Sequence, residues 1–142
     1  MIDQTTAQYR ATFALLPHLR VWEGTRIVDP RSTPSIRHAV SEFASAHSIP
    51  DVQVLQPGKH KAHFTITQMS CASARDYYDQ ALDWTTNSGE IALLTELSWL
   101  ADTSYPLGIS DVYVVSASAW PTKTAMAWFV FGRLRQGRWW VL

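Results

Sequence analysis

Residues 125–131 read Ala-Met-Ala-Trp-Phe-Val-Phe, an unbroken apolar run near the end of a 142-residue chain. Seven residues suit a strand, whereas a membrane span needs about 20 apolar residues. Apolar side chains at every position are typical of a strand that is covered on both faces. The run therefore predicts the central strand of a sheet, within a strand-like segment from Lys123 to Leu134.

Two further strand-like segments flank this run, one from Asp111 to Ala119 and one from Arg138 to Leu142. Short turn sequences separate the three segments, namely Trp-Pro-Thr at 120–122 and Arg-Gln-Gly at 135–137. Antiparallel neighbours need only a short connection, whereas parallel neighbours need a long crossover. We therefore expect an antiparallel meander in the C-terminal part of the chain.

A hairpin is predicted upstream of the meander. Asp51 to Gln56 and His60 to Met69 read as two strands joined by Pro57-Gly58-Lys59. Apolar and polar residues alternate in the second strand, as in a strand with one buried face. The segment from Leu19 to Val28 is compatible with another hairpin, which turns at Glu23-Gly24.

Apolar residues at helical spacing predict four helices. The first runs from Thr5 to Leu16 and ends at Pro17. Thr33 followed by Pro34 is a typical helix start. The third helix begins near Ser73 and ends near residues 87–89, and the fourth spans about 90–101. The apolar face of the second helix consists of Ile36, Ala39, Val40, Phe43 and Ala44.

These elements predict an α+β fold, in which an antiparallel sheet of about five strands with a C-terminal meander packs against three to four helices. The length suits a single domain over residues 1–142. Twelve Lys and Arg balance twelve Asp and Glu, so a uniformly basic nucleic-acid binder is excluded and no nucleic-acid partner is expected. No apolar run reaches membrane length and the single cysteine, Cys71, suits a reducing compartment, so we expect a cytoplasmic protein without a membrane partner.

The balanced total hides an acidic middle of the chain, because residues 76–122 contain seven acidic side chains and no Lys or Arg. On a helical wheel Asp76, Asp79 and Asp83 share one face, which we call the acidic face, and Trp84 lies at its border. This face predicts a protein-binding module that holds a basic protein partner, such as an inhibitor or immunity-type protein. The alternative is a face that is solvated or paired with arginines of the same fold.

A small-molecule pocket is the second hypothesis. Helices followed by an aromatic-rich C-terminal sheet are found in cone-shaped α+β domains that bind or isomerise small apolar molecules. His63, Tyr78 and Asp111 are the polar side chains that we expect in such a pocket. A homo-oligomer that buries surplus apolar surface is a third possibility.

Recognisable catalytic, metal and cofactor motifs are missing from the sequence. No Gly-rich loop precedes a helix, so a nucleotide cofactor is disfavoured. His60 and His63 lie three apart on a strand and face opposite ways, which disfavours a metal site. Cys71 precedes a helix start, where a thiolate with His63 as base is one interpretation and a small buried side chain is the other. We expect no metal, no cofactor and a function other than catalysis.

Overall fold

A computed structural model of the chain describes residues 2–106, 108, 110–122 and 124–142. Its three α-helices are α1 (Gln4–Leu15), α2 (Pro34–Ala46) and α3 (Ala74–Trp84). Its seven strands are β1 (Arg26–Val28), β2 (Gln53–Leu55), β3 (Ala62–Gln68), β4 (Thr85–Glu96), β5 (Ser110–Val114), β6 (Met126–Phe131) and β7 (Trp139–Val141). None of the helices in the described ranges is long and apolar enough to cross a membrane.

All seven strands form one sheet, in the order β2-β1-β3-β4-β6-β5-β7. Pairing is parallel from β2 through β1 and β3 to β4, and again between β5 and β7. Only β6 runs antiparallel to its neighbours β4 and β5. The prediction of an antiparallel five-stranded sheet with a C-terminal meander is therefore wrong, because the sheet is mostly parallel and has seven strands. The single-domain organisation stays a prediction.

The predicted hairpin around Pro57-Gly58-Lys59 does not form. Strands β2 and β3 both pair with β1 instead, which lies between them. Ile27 and Val28 of β1 are buried, so this short strand is covered on both faces and hydrogen-bonded on both sides. Strands β2 and β3 run in the same direction on either side of β1, so the predicted reversal of the chain between them is wrong.

The predicted helix over residues 90–101 is instead the strand β4, followed by a 3-10 turn over Leu97–Ala101. Leu93 and Leu94 are both fully buried and contribute to opposite cores of the sheet. A strand that is apolar on both faces shows no alternation, so its sequence resembles that of a buried helix.

At the C-terminal end, every residue of β6 is buried, which confirms the predicted doubly covered central strand. Lys123, the predicted start of that strand, lies outside the described residues. Strand β7 crosses to the far side of β5 and pairs with it in parallel, with Val112 opposite Trp139. This crossing is what replaces the expected meander.

Helices α1 and α2 pack on one face of the sheet and α3 packs on the other. The predicted α2 is confirmed, with its whole apolar face buried. On that side of the sheet, Trp128 of β6 donates its indole N–H to the Ala11 carbonyl of α1 at 2.9 Å. The core on the α3 side is built around Trp99 and Phe129, whose rings are 5.2 Å apart.

Candidate ligand cleft at the carboxyl edge of the sheet

Strands β1, β3 and β4 end at one edge of the sheet, which we call the carboxyl edge, and begin at the amino edge. From β1 the chain moves outward to β2 and then returns to the other side of β1 to form β3. Ligands of open α/β sheets bind at such a reversal of strand order, outside the carboxyl ends of the strands. A cleft of about 480 Å³ opens there, which we call the switch-point cleft. Its lining includes Gln4, Arg31, Thr33, Gln68, Met69, Ser70, Glu96 and Met126.

The loop between β1 and α2 is organised by Asp29, which is 1% exposed. The Asp29 carboxylate accepts the backbone N–H of Arg31 at 3.0 Å and that of Thr33 at 2.7 Å. It also accepts the hydroxyl of Thr67 on β3 at 2.8 Å. A buried carboxylate needs such partners, because it has lost its water. Asp29 therefore joins β1, the loop and β3, and it fixes the loop that carries Arg31 and Thr33 into the lining of the switch-point cleft.

Arg31 carries the positive charge of the cleft. Its guanidinium Nη1 donates to the Gln68 carbonyl at the end of β3, at 3.0 Å. This bond spans the crevice between β1 and β3, yet the side chain stays exposed. The remaining guanidinium N–H groups are available to a carboxylate, which arginine binds in a bidentate manner.

Glu96, the last residue of β4, carries the negative charge of the cleft. Its Oε2 accepts the backbone N–H of Cys71 at 3.2 Å. Burial raises the pKa of the Cys71 thiol, and the carboxylates of Glu96 and Asp102 raise it further. This raised pKa disfavours the thiolate interpretation. His63 lies near the other end of β3, about 17 Å of strand before Gln68, so it is no base for this thiol.

Helix α1 is tied to the same edge through one side chain. The Gln8 amide nitrogen donates to the side-chain oxygen of Gln68, and its oxygen accepts the hydroxyl of Ser35. Gln68 closes β3 and Ser35 lies in the first turn of α2. One glutamine thus joins α1, α2 and β3 beside the cleft.

The acidic face lies elsewhere, on the exposed side of α3. Asp76, Asp79 and Asp83 are exposed, and Asp79 accepts a hydrogen bond from Arg75 Nε at 3.0 Å. Arg75 precedes Asp79 by four residues, so this ion pair lies within α3 itself. Trp84 is half-buried against the core beneath α3. The structure therefore places none of these four residues in the switch-point cleft.

The three residues expected in a pocket are not brought into one site. His63 and Tyr78 line two adjoining clefts at the amino edge. Asp111 is 4% exposed and forms an ion pair with Arg135 Nη1 at 3.2 Å. Burial by itself would raise the pKa of Asp111, but hydrogen bonds from the Arg138 and Gln136 amides and from Arg135 outweigh it and lower the pKa.

Sequence reasoning missed Arg31 and Glu96, which line the switch-point cleft, and the buried Asp29, which holds the loop that carries Arg31. The usable signal was Val-Asp-Pro before the helix start at Thr33-Pro34, which is a strand, a polar loop and a helix in succession. Within the described ranges, no group of three or more His, Cys, Asp and Glu side chains is arranged to hold a metal ion.

No protein-family model and no curated protein matches this chain. Its fold is similar to that of a putative class I S-adenosylmethionine-dependent methyltransferase from Listeria monocytogenes, with a TM-score of 0.69. That match covers 99% of this chain and 67% of the other, at 6% sequence identity. TrmN from Thermus thermophilus is also similar, with a TM-score of 0.54 and 16% identity over 87% of this chain and 48% of TrmN. The chain therefore has a Rossmann-like methyltransferase fold, and it spans about half of the TrmN chain.

This fold corrects the predicted function. The inhibitor or immunity-type interpretation is wrong, because the structural neighbours are methyltransferases. The cone-shaped pocket depended on the antiparallel sheet, which the mostly parallel Rossmann-like sheet replaces. The predicted basic protein partner is wrong on the same ground, since the structural neighbours are methyltransferases. One carboxylate of the acidic face, that of Asp79, is also paired within the chain.

Proposed function

We propose that this protein binds S-adenosylmethionine in the switch-point cleft and uses it for methyl transfer. The observation that supports the proposal is the presence of one cation, Arg31, and one anion, Glu96, in a single cleft at the strand reversal. The aminoacyl end of S-adenosylmethionine carries a carboxylate and an ammonium group. It therefore needs one partner of each sign, which this pair supplies.

The β1–α2 loop distinguishes this ligand from a dinucleotide. Pyrophosphate binding at a helix start uses glycines and free backbone N–H groups. Between Asp29 and Pro34 there is no glycine, and both prolines of the loop lack an N–H. The amides of Arg31 and Thr33 already bind Asp29. S-adenosylmethionine has no phosphate, so the loop fits it better than it fits a dinucleotide.

The other walls suit the rest of this ligand. Met69 and Met126 contribute polarizable apolar surface, and both are at least 95% buried. Gln56 follows the last residue of β2, where dinucleotide-binding sheets carry an acid that binds ribose hydroxyls. A glutamine amide both donates and accepts, so it suits a hydroxyl pair. When bound, S-adenosylmethionine supplies a methyl group activated by its sulfonium, while Arg31 and Glu96 orient the aminoacyl end.

Calorimetric titration of the protein with S-adenosylmethionine and with S-adenosylhomocysteine tests the proposal. We expect saturable binding of both, and about 10-fold to 150-fold weaker binding in Arg31→Gln and in Glu96→Gln, because each removes a hydrogen bond to a charged group. The matched control is Arg37→Gln, an exposed arginine of α2 that is outside the switch-point cleft. Wild-type affinity in both cleft variants, or no binding at millimolar ligand, would contradict the proposal.

Methyl transfer itself is measured by incubating the protein with methyl-labelled S-adenosylmethionine and fractionated cell extract. We expect label to enter one fraction with the wild-type protein and to be lost with Glu96→Gln. Equal labelling by the two proteins would exclude this cleft as the source of the methyl group.

A cytoplasmic location is also part of the proposal. It is supported by the single cysteine, Cys71, whose thiol is free. Cell fractionation tests it, and recovery of the native protein outside the cytoplasmic fraction would contradict it.

A further inference from the structure

Two adjoining clefts at the amino edge form one groove. The first measures about 300 Å³ and is lined by Trp22, Phe64 and Arg20. The second measures about 340 Å³ and is lined by Tyr78 and Phe131. Three residues belong to both clefts, namely Thr86, Gly89 and Arg133. Each cleft thus has aromatic walls, and an arginine lies at their junction.

An irregularity in β4 builds the floor of this amino-edge groove. Ala62 pairs with Thr85 and Phe64 pairs with Glu90, so β3 advances two residues while β4 advances five. The three extra residues of β4 loop out between the clefts. A Cβ on Gly89 would lie 2.4 Å from the His63 carbonyl oxygen, so this close approach of two backbones requires glycine.

The aromatic side chains leave surface open to a ligand. Trp22 is 47% exposed, although its indole lies 5.0 Å from the His63 ring and 6.0 Å from the Phe64 ring. These edge-on contacts hold the indole in place. In the second cleft the Tyr78 ring lies edge-on to Phe131 at 4.7 Å, and the Arg75 guanidinium lies over the ring at 5.9 Å from its centroid. The rest of the Tyr78 side chain lines the cleft.

The charge of the groove is positive. Arg20 and Arg133 are exposed, and within the described residues neither is in an ion pair. Among the described residues that line the two clefts, Glu90 is the one acidic residue, and it accepts a hydrogen bond from Arg135 Nη2 at 2.7 Å. Its charge is therefore balanced by a cation beneath the groove. Two arginines remain to attract an anion.

We propose that the amino-edge groove binds two consecutive nucleotides of a single-stranded nucleic acid, with bases on Trp22 and Tyr78 and the intervening phosphate on Arg133. Base stacking on aromatic side chains together with cations along the backbone is how proteins bind single strands without strong sequence preference. The order aromatic, arginine, aromatic in the groove matches the order base, phosphate, base. The expectation of no nucleic-acid partner followed from total charge, which does not report a local arrangement.

This groove is separate from the switch-point cleft. Strand β3 is seven residues long, so about 23 Å of strand lies between the two edges of the sheet. The groove therefore anchors a strand rather than presenting a base to the carboxyl edge. Its test does not depend on S-adenosylmethionine.

Fluorescence anisotropy of fluorescein-labelled U10 and dT10 tests the proposal. We expect Trp22→Ala to weaken binding about 5-fold to 150-fold, the range for loss of one stacked base. Arg133→Gln should weaken binding and reduce the slope of log K against log salt by about 1. The matched controls are Trp139→Ala and Arg10→Gln, which change an exposed tryptophan of β7 and an exposed arginine of α1 and should leave the Kd unchanged.

Unlabelled competitors distinguish a single strand from a mononucleotide and from a duplex. We expect unlabelled U10 to displace the probe at far lower concentration than UMP or a duplex of the same length. Equal competition by UMP, tighter binding of the duplex, or wild-type affinity in both groove variants would overturn the proposal. Thermal unfolding verifies that each variant is folded, and Trp22→Phe, which keeps an aromatic face, should recover most of the affinity.

Discussion

The two edges of the sheet bury their charged side chains to different extents. At the carboxyl edge Arg31 and Glu96 lie in the wall of an open cleft, and only Asp29 is buried. At the amino edge Arg135 is buried between the carboxylates of Glu90 and Asp111, so these charges are balanced within the protein. Charges that meet solvent are available to a ligand, whereas charges paired in the interior stabilise the fold and serve no ligand directly.

The buried cluster at the amino edge joins several parts of the chain. The Arg135 side chain is 9% exposed and donates to Glu90, to Asp111, to the Tyr113 hydroxyl at 2.8 Å and to the His18 carbonyl at 3.1 Å. Burial by itself would lower the pKa of Arg135, but hydrogen bonding to Glu90 and its charge raise the pKa instead. The guanidinium therefore keeps its charge despite its burial.

Replacing Arg135 by Met should have the largest effect, because it leaves the carboxylates of Glu90 and Asp111 buried without their cation. We expect the free energy of unfolding to fall by about 3–5 kcal/mol, measured by urea denaturation at pH 7. The matched control is Arg75→Met, which breaks the exposed ion pair with Asp79 and should cost less than about 1 kcal/mol. Similar losses in the two variants would show that burial does not distinguish these pairs.

Replacing Asp29 by Asn should have an intermediate effect at the carboxyl edge. The amide keeps the shape of the side chain but weakens its bonds to the Arg31 and Thr33 amides, so we expect a loss of about 1.5–3 kcal/mol in urea denaturation. Ligand binding in the switch-point cleft should weaken as well, because the loop carries Arg31. Asp76→Asn, on the exposed side of α3, is the control and should stay within about 0.5 kcal/mol of wild type.

Lowering the pH should reduce the free energy of unfolding by less than the loss of Arg135 does, because protonation of Asp111 removes only one of the two carboxylate charges. The folded pKa of Asp111 lies below its unfolded value of about 3.9. Its contribution to stability is therefore complete above that pH and is lost as the pH falls through the lower folded pKa. Urea denaturation from pH 6 to pH 2.5 should show this loss, and Asp111→Asn should flatten the curve at its acidic end. An unchanged curve in that variant would assign the acid sensitivity to other carboxylates.

Secondary structure was predictable where its signals lie close together in the chain. The helix start at Thr33-Pro34 and the apolar spacing that follows predicted α2, and the unbroken apolar run predicted β6. The same reasoning failed for β4, because an apolar sequence that is buried on all sides has no periodicity to read. It also failed for β2, which was expected to pair antiparallel with β3 but pairs in parallel with β1.

The candidate sites were less predictable than the elements. His63 and Tyr78 were singled out as lining residues, and the structure places them in adjoining clefts of the amino-edge groove. Arg31 and Glu96 are 65 positions apart in the chain. They share a cleft because β1, β3 and β4 end at the same edge of the sheet.

By itself, the sequence determined the helices α1 and α2 and the strand β6 that is covered on both faces. Caps and periodicity depend on residues only a few positions apart, so the local sequence specifies them. Only the tertiary structure decided the order of the strands and their parallel direction. It also placed Arg31 and Glu96 in one cleft, and Arg135 between two carboxylates. These features arise from hydrogen bonds and packing between distant segments, for which no stretch of neighbouring residues carries a signal.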